Sequence, residues 1–263
     1  MNLYRVWAVV CRHLYLYKRS VSRIMEIFYW PLLDLLVWGF ITVYLKRFDS
    51  QFQNFAGFFL GGLILWDIFF RAQQGISISF LEEVWARNFV NLFVSPLKIS
   101  EFLLSTMFIS IFKVMITACL TAIIALILYS FNIFIMGISL FPFIINLVLM
   151  GWSIGIITMA LILRYGQEVE VLAWGLAFLI QPFAGVFYPI TVLPIFLQKI
   201  AWYIPVSHIF EGMRHVISTG EIPIVNLIWA SVLNIVLISL AIALFYRMFR
   251  IVKEKGLLTK LEA

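Results

Sequence analysis

The chain has 263 residues, of which 63% are hydrophobic and only 12% are charged. Soluble domains carry about 25% charged residues, so this composition excludes a soluble enzyme, a disordered tail and a small secreted disulfide scaffold. It predicts a polytopic membrane protein, in which the net charge of +6 first reports membrane sidedness, because cytoplasmic loops concentrate Lys and Arg.

Residues 1–27 predict an amphipathic helix. Apolar residues recur there at steps of three and four, and Arg5, Arg12 and Arg19 form a basic stripe at seven-residue spacing. We interpret this pattern as a helix in the cytoplasmic interface with its basic face towards anionic lipid headgroups. A helix packed on a protein partner is the alternative. Residues 28–263 then form one membrane domain with a basic C-terminal tail.

Six apolar stretches have or approach the roughly 20 residues that a helix needs to cross the hydrocarbon core. They cover residues 28–45, 55–77, 102–128, 134–163, 171–187 and 224–246. With both termini on one side, most basic residues outside these stretches fall on that side, and the other side receives only Lys46, Arg47, Lys199 and Arg214. The sequence therefore predicts an all-α protein with six transmembrane helices and both termini in the cytoplasm.

Nucleotide-binding and zinc-protease motifs are missing. No lysine is followed by Ser or Thr, as a Walker A loop requires, and HExxH and CxxC do not occur. His208, Glu211 and His215 share one side of a predicted helix, but their spacing is not that of a standard zinc site. We predict no catalytic residue, no metal site and no cofactor on this chain, and no nucleic-acid partner. Any ATP-driven work would need another chain.

The link between the second and third stretches carries polar residues at helical spacing. Glu83, Arg87 and Asn91 are four residues apart and share one helical face. We predict a short amphipathic helix over 82–91, polar on one side and suited to docking a soluble partner. A membrane-surface helix without a partner is the alternative.

Four ionisable residues lie within predicted spans, where such residues are functional candidates by default. They are Asp34, Asp67, Arg71 and Lys113. Arg71 follows Asp67 by four residues, so the two can pair within one helix. Asp34 is then the predicted partner of Lys113, whose flexible stem can bring its ammonium towards the cytoplasmic side. A structural ion pair and a direct role in substrate binding or gating both remain open.

Two stretches resemble one transporter family. Residues 91–105, NLFVSPLKISEFLLS, resemble the segment after the second span of ABC-2-type permeases, the membrane subunits of a class of ATP-binding-cassette exporters. Residues 185–217, GVFYPITVLPIFLQKIAWYIPVSHIFEGMRHVI, are similar to that family's region between spans five and six. The matching positions are Gly185, Tyr188, Pro189, Leu193, Pro194, Pro205, Glu211 and Arg214. With the span count and the N-terminal helix, the resemblance covers nearly the whole chain.

The resemblance implies roles for these segments. The helix over 82–91 would be a coupling helix that sits in a groove of an ATPase subunit, and residues 164–170 would be a second cytoplasmic contact. The coupling residues would be Glu82, Glu83, Arg87, Asn88 and Asn91. Residues 188–221 would form short re-entrant helices that close the exit from the extracytoplasmic side. The gate residues would be Tyr188, Pro189, Pro194, Pro205, Glu211 and Arg214.

The resemblance also implies a mode of action, similar to that of polysaccharide and drug exporter permeases. The chain would form a homodimer in the inner membrane of a bacterium, with membrane lipid around it and two ATPase copies that hold ATP and Mg. It would move a lipid, a lipid-linked glycan or a hydrophobic drug. The alternative is an ion-coupled secondary transporter with a relay of Asp34, Asp67 and Lys113, although the internal repeats common in such transporters are not visible.

Overall fold

The computed structural model describes residues 1–46 and 52–256, which are helical and contain no strand. Arg47 and the tail from 257 onwards, which enter the sidedness prediction, lie outside the described residues. The α-helices are α1 (Leu3–Lys18), α2 (Val21–Lys46), α3 (Phe52–Trp85), α4 (Phe89–Val94), α5 (Ile99–Tyr129), α6 (Leu140–Tyr165), α7 (Leu172–Ala184), α8 (Ile195–Trp202), α9 (Pro205–Thr219) and α10 (Ile224–Glu254). Short 3₁₀ helices cover Ile133–Ser139, Gly166–Val169 and Ile190–Val192.

The all-helical class is confirmed, and this is a multi-pass membrane protein. Within the described ranges, four helical segments are long and apolar enough to cross a membrane. They are Val21–Leu45, Ile99–Tyr129, Ile133–Val169 and Ile224–Glu254. The second and fifth predicted spans correspond to α3 and α7, which are not among them. Helix α7 has 13 residues, or about 20 Å, and α3 has 34 residues but a polar C-terminal half.

The N-terminal segment divides into two helices. Helix α1 ends at Lys18, and α2 begins at Val21, so the last part of the predicted 1–27 segment belongs to the first turns of α2. The division of the chain into an interfacial helix and a membrane domain stays a prediction.

Helix α3 occupies the centre of the bundle and packs most extensively on α5 and α6. Small residues make the close approach to α6 possible, as is common between helices in membranes. A Cβ on Gly151 of α6 would lie 2.6 Å from the Cβ of Ala72 and 2.7 Å from the carbonyl oxygen of Phe69. A Cβ on Gly155 would lie 2.9 Å from the carbonyl oxygen of Gln73. The backbones of α3 and α6 therefore touch where larger residues would separate them.

Buried amides hold α6 to α10. The amide nitrogen of Asn234 donates to the backbone oxygen and to the side-chain oxygen of Asn146, both at 2.9 Å. Asn146 in turn donates to the hydroxyl of Ser231 at 3.2 Å. Hydrogen bonds of this kind stabilise helix pairs in lipid, where water cannot satisfy the same groups.

The prediction of one continuous helix over 82–91 is wrong. Helix α3 continues to Trp85, the chain turns at Ala86 to Asn88, and the six-residue α4 follows. Arg87 has φ +49, a left-handed conformation that breaks a right-handed helix. The three polar residues that four-residue spacing placed on one face therefore belong to α3, the turn and α4 in succession.

We expect that Gly151→Ala lowers the thermal unfolding midpoint of the purified chain in detergent. The added methyl group collides with backbone atoms of α3, and overpacking of this kind costs about 1–3 kcal/mol. Gly175→Ala in α7 is the matched control, because a Cβ there meets nothing within 4 Å and alanine favours the helix by about 1 kcal/mol. Equal midpoints for the two variants would contradict the close packing of α3 on α6.

Candidate functional site

Two buried carboxylates lie in the last turn of α3. Glu82 is 7% exposed and Glu83 is 1% exposed. Arg12 of α1 donates to both oxygens of Glu83 at 2.7 Å, and Arg23 of α2 lies 2.8 Å from Glu82. Carboxylates are buried in proteins only when they are paired or hydrogen-bonded. These contacts therefore tie α1 and α2 to the end of α3.

His13 lies between the two carboxylates and is fully buried. Its Nδ1 is 3.4 Å from Glu82, and its Nε2 is 3.1 Å from Glu83. Burial by itself lowers the pKa of His13, but the two carboxylates outweigh burial and raise its pKa above the ordinary value of 6.5. Burial likewise raises the pKa of both glutamates, but other contacts hold each pKa below the ordinary 4.5. These are the contacts with His13, Lys113 and Arg23 for Glu82 and those with His13, Asn88 and Arg12 for Glu83.

A third carboxylate holds the start of α1. Glu101, in the first turn of α5, accepts hydrogen bonds from the backbone N–H groups of Asn2 at 2.7 Å and Lys98 at 3.0 Å. Arg5 lies 3.8 Å from Glu101 and also donates to the carbonyl of Pro96. These contacts anchor the first turn of α1 to the loop before α5.

The predicted direction of the α1 basic stripe is wrong for two of its three arginines. Arg5 and Arg12 point at carboxylates of the protein rather than at lipid headgroups. The exposed surface of α1 includes Tyr4, Trp7 and Tyr15. Aromatic side chains of this kind are enriched at membrane interfaces.

The predicted coupling residues divide into a buried set and an exposed set. Glu82 and Glu83 are enclosed by α1 and α2, whereas Arg87 and Asn91 are exposed. Asn88 links the two sets, because its amide donates to Glu83 at 2.8 Å. A soluble partner could therefore reach the turn after α3 but not the two glutamates.

The second predicted contact segment lies beside the first. The indole N–H of Trp85 donates to Glu170 at 3.0 Å, and the Trp85 ring stacks on Trp174 with the ring centroids 6.4 Å apart. The structure thus brings the 3₁₀ helix Gly166–Val169 next to the turn at the end of α3.

The intramembrane charges pair differently from the prediction. Asp67 and Arg71 form the expected pair within α3 at 3.6 Å, and Arg71 also donates to Gln74 at 2.9 Å. Lys113 does not pair with Asp34 in the part of the chain that the structure describes. Its ammonium lies 4.9 Å from the ring centroid of Tyr17 in α1. The long lysine stem carries the charge towards the polar cluster at the end of α3, away from Asp34.

A cavity of about 520 Å³ lies between α2, α3 and α7. Its wall combines aromatic rings with Asp34, Asp67 and Arg71. The other lining residues include Glu26, Trp30, Trp38, Trp66, Phe70, Gln74, Thr121, Trp174, Phe178, Gln181 and Phe187. This volume is in the range of small-molecule sites, about 300–1,000 Å³.

The predicted gate residues surround one ion pair. Arg214 of α9 lies 3.0 Å from Glu211 and donates to the carbonyl oxygen of Gly185 at 2.6 Å. Glu211 accepts the backbone N–H of Ile190 at 2.7 Å, and Tyr188 donates to the carbonyl oxygen of Pro182 at 2.6 Å. These bonds fasten the chain after α7 onto α9.

The prolines of this segment begin new elements. Pro189 precedes the 3₁₀ helix Ile190–Val192, Pro194 caps α8, and Pro205 is the first residue of α9. Proline is favoured at a helix start, where its missing N–H has no helical partner to lose. The short helices expected here are present, and their re-entrant placement stays a prediction.

Comparison with known families decides the identity. The sequence model of the ABC-2 type transporter family matches residues 4–218, which run from α1 to the end of α9. The chain belongs to the ABC-2 type transporter family. It is therefore a transport permease of the ABC class, a family that typically works with an ABC ATPase partner, and the ion-coupled alternative is not favoured. A search of curated proteins finds no matching sequence.

Sequence reasoning missed the residues that pair with the buried glutamates at the end of α3 in this ABC-2 permease. Arg12, His13 and Arg23 were not candidates, although they hold Glu82 and Glu83. One signal was available. His13 continues the apolar face of α1, three residues after Val10, and a titratable residue in a buried stripe needs a partner.

The cluster predicts a pH dependence of the permease's stability. Because the pKa of His13 is raised on folding, its stabilising effect is full below its ordinary value of 6.5 and is lost as pH rises through the folded-state value. Because the pKa values of Glu82 and Glu83 are lowered, their effect is full above 4.5 and is lost as pH falls through their folded-state values.

We expect that the thermal midpoint falls between about pH 6 and about pH 9 more steeply in the wild type than in His13→Gln. The measurement is thermal unfolding in detergent at several pH values. Other titrating groups shift the midpoint of both proteins equally, so the difference between the two midpoints reports His13. Parallel curves would contradict a charged His13 between the glutamates.

Proposed function

We propose that this permease is the membrane subunit of an ATP-driven exporter in the inner membrane of a bacterium. Two copies form a homodimer, and two separate ATPase chains bind ATP and Mg. The substrate is amphipathic, in the class of lipids, lipid-linked glycans and hydrophobic drugs. The family match supports the permease role, and the features below support the exporter mechanism.

The observation that carries the mechanism is the exposed turn that directly continues α3. Arg87 and Asn91 face solvent there, while Asn88 bonds to the buried Glu83. We assign this turn and α4 as the surface that docks the ATPase, in place of a helix over 82–91. The neighbouring 3₁₀ helix Gly166–Val169 adds the second contact, because the bond from Trp85 to Glu170 holds it beside the turn.

Movement of the ATPase would reach the membrane through α3. The turn and α3 are continuous, and the paired glutamates fasten α1 and α2 to the same end. A displacement at Arg87 would therefore move three helices together. Nucleotide binding could in this way bias the bundle between two packings that open the path to opposite sides.

The proposal places α3 and α7 in the membrane as additional spans, which gives six with both termini cytoplasmic. Helix α3 is long enough, since 34 residues extend for about 50 Å. Helices α8 and α9 would dip into the outer side and close the exit, where the bonds of Glu211 and Arg214 hold α9 to the segment that follows α7. Trp202 and Tyr203, both exposed, suit the outer interface.

We expect that Arg87→Asn removes ATPase docking and leaves the permease folded. Asparagine tolerates the positive φ at this position, so the variant loses the exposed charge and keeps the turn. The measurement is co-purification of the tagged permease with its ATPase from native membranes, read as vanadate-sensitive ATP hydrolysis. A drop of about tenfold or more is expected, as for loss of a charged interface contact worth about 1.4 kcal/mol.

Lys199→Ala is the control, because Lys199 lies in α8 at the proposed outer end and should not affect docking. Unchanged ATP hydrolysis with Arg87→Asn and Asn91→Ala would contradict the assigned surface. Ion-driven uptake by this chain alone, without an ATPase, would contradict the proposed exporter as a whole.

A further inference from the structure

The cavity between α2, α3 and α7 has an uneven balance of charge. Three carboxylates line it, from Glu26, Asp34 and Asp67, against the single guanidinium of Arg71. Lys113 lies outside this cavity, with its ammonium against the ring of Tyr17, and its charge interacts with that of Glu26 but not with those of Asp34 and Asp67. Among the described residues, the lining of the cavity therefore carries excess negative charge.

Arg71, the cation of the lining, already has partners within α3. Arg71 pairs with Asp67 at 3.6 Å through Nε and donates to Gln74 at 2.9 Å through a terminal nitrogen. The second oxygen of Asp67, Oδ2, is closed to solvent and has no hydrogen-bond partner. Asp34 is exposed on the cavity side of α2 and interacts with Arg71 only as a further neighbouring charge. Asp34 thus remains able to accept a positive charge directly, and Asp67 keeps one carboxylate oxygen without a hydrogen-bond partner.

Aromatic side chains make up half of the remaining lining residues. Trp30, Trp38 and Trp174 contribute indole rings, the best aromatic partners for cations. At the end farther from α1, Trp38 and Phe187 stack at 6.0 Å, and both contact Phe59. An apolar body would be covered by these rings, with its charge held closer to α1.

The length of the cavity fits a molecule with a charged end and an apolar end. Glu26 and Trp38 mark its extent along α2, and twelve residues of helix span about 18 Å. Asp34 lies between them, two turns from Glu26. A small metal ion is a poor match, because hard cations need six or more oxygen ligands, whereas this wall is mainly apolar.

From this charge balance and lining we infer that the cavity binds a hydrophobic organic cation, with its positive charge beside Asp34 and Asp67 and its apolar groups among the indole and phenyl rings. The inference rests on the proposed function, because the bound cation would be the transported substrate. It selects one class from the amphipathic substrates considered above. An anionic lipid carrier would meet three carboxylates and is disfavoured.

A pair of ions with the same shape and opposite charge tests this inference. Tetraphenylphosphonium and tetraphenylborate differ mainly in sign. We expect that the purified full-length permease in detergent binds the phosphonium at least about tenfold more tightly, measured by isothermal titration against a detergent blank. Equal binding, or tighter binding of the borate, would overturn the inference without any variant.

Asp34→Asn should weaken phosphonium binding by about tenfold, which corresponds to about 1.4 kcal/mol, while Asp34→Glu should retain most of it. Glu221→Gln is the control, because Glu221 is exposed and is not part of the cavity lining. The affinity of this variant for the phosphonium should match that of the wild type. Unchanged affinity in a folded Asp34→Asn protein would overturn the assignment of Asp34.

The failure of this inference and the failure of the proposed function give different results. If the ATPase co-purifies but the phosphonium shows no preference over the borate, the exporter stands and the cationic substrate is wrong. If the phosphonium binds as expected but no ATPase associates through Arg87, the site stands and the exporter mechanism is wrong.

Discussion

The burial of Glu82 and Glu83 constrains the whole end of the bundle to which α1 is attached. Two adjacent carboxylates in nearly closed positions would cost several kcal/mol if they were left unpaired. Their partners come from separate helices, with Arg12 and His13 on α1 and Arg23 on α2. The packing of these helices on α3 therefore depends on completing one set of ion pairs.

Different residues therefore hold the end of α3 in place and form the proposed ATPase surface. Glu82 and Glu83 hold the end of α3 in place, and the next residues of the chain leave the helix through the left-handed Arg87 and present an exposed turn. The same helix lines the cavity farther along, with Asp67 and Arg71. A single rigid α3 thus connects the proposed ATPase surface to the proposed substrate site. Its close backbone contacts with Gly151 and Gly155 of α6 oppose independent bending.

Local patterns in the sequence predicted the elements better than they predicted the partners. The Asp67–Arg71 pair followed from four-residue spacing, and the family resemblance implied the short helices that the 188–221 segment contains. The direction of Arg12 could not be predicted, because its carboxylate partner lies 71 residues away and nothing in α1 specifies it. The same holds for Lys113, whose predicted partner was Asp34 but whose ammonium lies against the ring of Tyr17 on another helix. The family match establishes a permease, whereas the cavity charges that bear on its substrate required the structure.

The most direct test of the account is a double-mutant cycle between Arg12 and Glu83. Arg12→Gln, Glu83→Gln and the combined variant would be compared with the wild type by thermal unfolding in detergent near pH 6. Because one terminal nitrogen of Arg12 lies 2.7 Å from both carboxylate oxygens of Glu83 and this contact joins α1 to α3, we predict a coupling energy of about 1 kcal/mol or more. Additive effects, with a coupling below about 0.3 kcal/mol, would contradict the claim that buried glutamates hold these helices together.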